Sequence, residues 1–120
     1  MVRFVVLAFA AMSAAAAADG DAAKGEAIFT RCQLCHSANK GGGNGVGPNL
    51  FGVVGRKAAS LPNFYYSPAL KNSNIVWTED MLKKWVAGPQ KLVPGTRMAF
   101  AGLTSRKDAE DVVAFLKSKK

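Results

Sequence analysis

Four stretches of this 120-residue chain look helical, the first and last by the spacing of their apolar residues and the two between by their caps, and none reads as a strand. The clearest stripe is Ala109, Val112, Val113 and Leu116, which puts four side chains on one helical face. Ser105 precedes it as an N-cap, and Asp108 three residues on predicts a short capping box. Lys117, Lys119 and Lys120 suit the negative end of that helix's dipole. Thr78 opens an earlier helix with Glu79 and Asp80 in its first turn, running to Ala87, where Gly88-Pro89 stops it. Ser67-Pro68, a cap followed by proline at the first helical position, starts a short piece. Asp21 caps the first helix, which reaches about Arg31 with Ala23, Ala27 and Ile28 as its apolar face. Between the first and second helices lies GGGNGVGPNLFG, residues 41–52, with six glycines and a proline. The pattern predicts an all-α single domain without internal repeats.

The first 18 residues follow a different pattern. Met1-Val2-Arg3 is a short positive start, Phe4 to Met12 is wholly apolar, and Ser13 with Ala14 to Ala18 supplies small residues. That is the composition of a secretory signal peptide cleaved near Ala18–Asp19. The 15 residues from Phe4 to Ala18 fall short of the roughly 20 that a spanning helix needs. Residues 1–18 are therefore expected to be a signal, and residues 19–120 an exported, periplasmic domain.

Charge narrows the partners. The chain has 16 basic and 8 acidic residues, a net +8, and loss of Arg3 with the signal leaves +7. A basic protein seeks nucleic acid, an anionic membrane or an acidic protein. Export separates this one from the genome, and no nucleic-acid motif is present. An acidic protein surface, with transient membrane-surface contact, is what remains. Four short helices and so much loop also make a thin core for about 100 residues, so added core material would help stability.

The only two cysteines and the only histidine share one pentapeptide, CQLCH, residues 32–36. A thioredoxin-like redox pair needs a preceding strand and a βαβ pattern, and a helix precedes this one. A structural zinc needs about four ligands, and this set is one short. A disulfide remains open in an oxidising compartment. C-x-x-C-H also reads as covalent attachment of a c-type haem, in which two thiols add to two vinyl groups and the histidine is held under the iron. A haem would supply the apolar centre that the chain lacks.

Iron bound by one histidine leaves a sixth position, and methionine is among the ligands that fill it. Met1 and Met12 leave with the signal, and Met81 reads as helix packing. Met98, 62 residues past His36, sits in the turn-rich stretch PGTRMAF, where a loop can aim a side chain inward.

Over nearly all of residues 19–120 the chain resembles class I c-type cytochromes, in the branch of mitochondrial cytochrome c and bacterial cytochrome c2. The likeness rests on KGEAIFTRCQLCH (24–36), GVGPNLFGVVGRK (45–57), the tryptophan of NIVWTED (74–80), PGTRMAF with AGL (94–103) and DVVAFLK (111–117). It implies the single-domain class I fold wrapped around one covalent haem. Cys32 and Cys35 would carry the thioethers, and His36 and Met98 would be the axial iron ligands. The Pro48 carbonyl would accept from the other nitrogen of His36, fixing its tautomer. Arg56, Tyr66 and Trp77 match positions that bond or neutralise the inner haem propionate. Phe100 matches an aromatic beside the haem edge, and Gly25 and Phe29 match the crossing of first and last helices against Val112 and Phe115. Two positions depart from the mitochondrial pattern. Trp85 stands where tyrosine commonly bonds the methionine sulfur, and Leu70 where asparagine often joins a water network. Gln90, Thr104 and Ser105 replace common lysines, leaving Arg31, Lys40, Lys57, Lys91 and Arg97 as candidate docking charges.

A haem with two fixed ligands has no open site, which predicts a monomeric one-electron carrier and not an enzyme. It would shuttle between membrane complexes of the bc1, reaction-centre or oxidase kind, or serve a periplasmic dehydrogenase. A haem enzyme or gas sensor would need Met98 to be displaceable, and a disulfide or metal module would carry no haem at all.

Overall fold

The computed structural model describes residues 2–5 and 20–120. The signal-peptide reading of residues 1–18 lies, beyond residues 2–5, outside the described residues. Five helices follow in order: α1 (Ala22–Phe29), α2 (Pro68–Lys71), α3 (Glu79–Ala87), α4 (Pro89–Leu92) and α5 (Arg106–Lys117). Among the described residues, β-structure amounts to one isolated antiparallel bridge between Lys57 and Val76. No helix of the described residues is long and apolar enough to cross a membrane.

Side-chain caps set the helix starts. Asp21, Ser67, Thr78 and Ser105 each accept from backbone N–H groups of the first turn. The capping box at α5 is only half made: Asp108 N–H donates to Ser105 Oγ at 3.2 Å, without a return bond from the Asp108 carboxylate. α1 ends at Phe29, two residues before the expected limit, because the chain tightens into turns through Cys35. The stop at Gly88-Pro89 is also a start. Pro89 has no N–H to lose at a first helical position, so a further turn, α4, begins there.

The last helix is the centre of the packing. Ala109, Val112, Val113 and Leu116 are all buried, as their spacing predicts. α5 contacts α1 and α3, and among the described residues α1 packs on no helix but α5. The apolar face expected for α1 is corrected: Ala23 and Ala27 are exposed, Ile28 is half-buried, and Gly25 and Phe29 make the contact. Counting apolar residues misses this face because the close approach needs the absence of a side chain at residue 25. A Cβ there would overlap the Asp111 carbonyl. The Phe29 and Phe115 rings lie 5.0 Å apart beside it. Asp111, buried in α5, accepts from the Asp21 N–H at 2.7 Å and pairs with Lys107 at 2.5 Å, tying the start of α1 to the middle of α5.

Candidate functional site

The helices and the glycine loop enclose a largely apolar cavity of about 410 Å³. CQLCH enters it from the end of α1. The turn past Phe29 keeps helix-like bonds, with Cys35 N and His36 N both donating to the Cys32 carbonyl at 3.1 and 2.9 Å. Residues 32, 35 and 36 then share one face, and all three line the cavity. Both thiols are free. Burial pushes the Cys32 thiol up, against the pull of the neighbouring Arg31 charge. Among the described residues no group of three or more His, Cys, Asp or Glu is placed to hold a metal ion.

His36 is fixed by its back side. Nδ1 lies 2.7 Å from the Pro48 carbonyl. A carbonyl only accepts, so Nδ1 carries the proton and Nε2 keeps its lone pair. Burial lowers the His36 pKa, partly countered by that bond, which favours the neutral ring that ligates metals. Gly47 lies against the ring, and a Cβ at 47 would overlap Cε1 and stand 2.7 Å from each nitrogen.

Met98 lines the same cavity, 62 residues on, and is half-buried. Gly95 turns the chain at φ 92°, and Thr96 N–H donates to the Val93 carbonyl at 3.1 Å. Two thiols, an imidazole lone pair and a thioether thus converge on one apolar space. That donor set fits a covalently held haem: two soft nucleophiles for its side chains and two axial ligands for its iron.

The polar wall fits as well. Arg56 is half-buried and donates to the carbonyls of Asn49 and Phe51 at 2.9 and 3.3 Å. It forms no ion pair among the described residues, so its charge faces the cavity without a counter-ion. Burial lowers its pKa, and nearby Tyr66 offsets part of that. The Tyr66 hydroxyl accepts from Leu61 N–H at 3.3 Å, which leaves its own proton to donate. Trp77 is buried on the same wall, its ring 5.1 Å from that of Trp85. Phe100 and Leu70 also line the cavity.

Of the expected docking charges, Arg31, Lys57 and Arg97 reach the cavity's edge; Lys40 and Lys91 are exposed but lie off it. Sequence reading missed Tyr65, an exposed ring with Lys71 Nζ and Arg97 each about 4.9 and 4.8 Å from its centroid. It also missed Leu34 and Val46, aliphatic residues 85% and 80% exposed on the cavity's rim. An apolar residue between the two cysteines was the available signal for Leu34.

Comparison with known proteins agrees with this geometry. A family model described as Cytochrome c matches residues 22–120. The chain is similar to cytochrome c2 of Rhodomicrobium vannielii, 48% identical over 104 residues that cover 87% of this chain and 83% of that protein. It is similar to cytochrome c of Euglena viridis, 46% identical over 102 residues, 84% of this chain and 99% of that one. Among solved structures, cytochrome cH from Methylobacterium extorquens superposes with a TM-score of 0.78 at 48% identity, covering 83% of this chain and all of that one.

Proposed function

Because the chain belongs to the cytochrome c family, which makes it a soluble electron carrier with one covalently attached c-type haem and not an enzyme, we propose that Cys32 and Cys35 hold that haem and that His36 and Met98 ligate its iron. The single observation that carries the reading is the convergence of these four side chains on one cavity, with His36 Nδ1 tied to Pro48. The bound haem supplies one-electron exchange between ferrous and ferric iron. The chain's residues do the rest. Pro48 and Gly47 hold the imidazole with Nε2 presented, so the proximal ligand needs no rearrangement between redox states. Arg56, Tyr66 and Trp77 direct a positive charge and two potential donors at the haem's carboxylate end. Trp85 and Phe100 line the same cavity, and their rings would help exclude water around the iron, which would favour a higher potential.

The finer reading extends to place and partners. Residues 1–18 act as the export signal, and the carrier works in the periplasm as a monomer. It shuttles between a bc1-type donor and a reaction centre or oxidase, or accepts from a periplasmic dehydrogenase. The basic edge formed by Arg31, Lys57 and Arg97 meets an acidic face on those partners and releases it quickly.

Met98→Ala tests the ligation. The expected outcome is loss of the absorption that arises from a sulfur–ferric iron bond, a lower potential and ready binding of added ligands. An unchanged spectrum and potential would refute Met98 as the ligand.

A further inference from the structure

We infer that Gln90 is a positioning residue for Met98: its side-chain amide clamps the backbone of the loop that presents the sulfur. The inference rests on the proposed ligation by Met98. Gln90 stands in α4, a turn anchored at its base. The Pro89 side chain is fully buried, and Lys91 N and Leu92 N donate to the Gly88 carbonyl at 3.1 and 3.0 Å. From that base the amide reaches across to the loop twice. Nε2 donates to the Thr96 carbonyl at 2.5 Å, and Oε1 accepts from the Gly95 N–H at 3.4 Å. Those are backbone groups two and three residues before Met98. Thr96 is itself buried. With its N–H on Val93 and its carbonyl on Gln90, the Thr96 residue is held on both sides.

The chemistry of the clamp requires an amide. A side-chain amide presents a donor and an acceptor on the same planar end. A lysine at residue 90 could donate to Thr96 but not accept from Gly95, and a glutamate could do the reverse. Gln90, which stands where the resemblance leads one to expect lysine, thus supplies the loop with a two-way tie. The loop is also fastened outside its hydrogen bonds, where Arg97 lies over the exposed Tyr65 ring at 4.8 Å.

The test uses the haem-loaded ferric protein and added imidazole, which binds only when the sixth position opens. Loss of both bonds in Gln90→Leu should raise the open population, and with it the apparent imidazole affinity, by about tenfold. Gln90→Glu keeps the acceptor and loses the donor, and should fall between parent and Gln90→Leu. The pH at which the sulfur–iron absorption is lost on alkaline titration should drop in the same order. Equal imidazole affinity and equal alkaline midpoints in parent and Gln90→Leu would overturn the clamp. Met98→Ala separates the two readings. If it binds imidazole no more tightly than the parent, the ligation reading fails; if it binds more tightly while Gln90→Leu matches the parent, only the clamp fails. Thermal unfolding of each variant identifies one that has lost its fold. In that case Gln90→Glu alone decides, a parental affinity refuting the clamp and a raised one supporting it.

Discussion

Replacing Gly25 by alanine should unseat the contact on which the fold closes. The new Cβ would overlap the Asp111 carbonyl and lie 2.9 Å from Phe115 Cβ. The obstruction on the α5 side is largely backbone, so no change of rotamer relieves it, and α1 and α5 must move apart. Overpacking of a tight core costs roughly 1–3 kcal/mol, and an obstruction by backbone belongs near the upper end. Alanine returns up to about 1 kcal/mol through its better helix propensity. The net is a loss of about 2 kcal/mol, which for a domain near 100 residues lowers Tm by about 8–16 °C. Thermal unfolding of the haem-loaded protein, followed by far-ultraviolet circular dichroism, measures it. Gly43→Ala is the matched control: nothing lies within 4 Å of its new Cβ, so it should stay within about 0.5 kcal/mol of the parent. If Gly25→Ala melts with the control, the two helices do not depend on their close approach.

Three further outcomes are expected. The Asp111 carboxyl is held below its ordinary 3.8 by the Lys107 ammonium and the Asp21 N–H, so its tie stabilises the fold above that value and is lost as pH falls through the lowered one. The Tm gap between parent and Asp111→Asn should therefore be full at neutral pH and close on acidification; a gap independent of pH would refute it. Gly47→Ala should displace the His36 ring and cut the yield of low-spin haem-loaded protein, and an unchanged yield and spectrum would show that the ring does not rest on residue 47. Electron transfer to an acidic partner should slow as salt rises past about 0.1 M, where the Debye length is about 10 Å. Arg97→Gln should lower the low-salt rate more than Lys40→Gln, which lies off the cavity's edge, and equal effects would contradict that placement.

What the sequence revealed depended on whether a feature is written in side chains. The caps of α3 and α5 and the stripe from Ala109 to Leu116 are, and they were legible. CQLCH was singled out by residue types at fixed spacing and Met98 by counting the sulfurs left over, and the structure brings Cys32, Cys35, His36 and Met98 to one cavity. α4 was not, because proline was read as a stop when it also serves as a first position. Periodicity misread the buried face of α1 because its key residue has no side chain, and only the resemblance pointed to Gly25 and Phe29. Pro48, Arg56, Tyr66 and Trp77 came only through the resemblance. Pro48 acts through its carbonyl and Arg56 bonds carbonyls of Asn49 and Phe51, groups that every residue possesses and no letter distinguishes. Gln90 and Tyr65 were illegible for a related reason: their partners are chosen by where a loop comes to rest.

The pairing of α1 with α5 also sets an order of events. Asp21 and Asp111 are 90 positions apart, and among the described residues α1 rests on no other helix. A chain delivered from its N-terminus cannot seat its first helix until its last one has arrived, and closing so long a loop is entropically expensive. Cys32 and Cys35 follow α1 closely in the chain, so they emerge well before that closure is possible. The crossing at Gly25 is then a timer as well as a contact: it shuts the domain only after nearly all the chain is present.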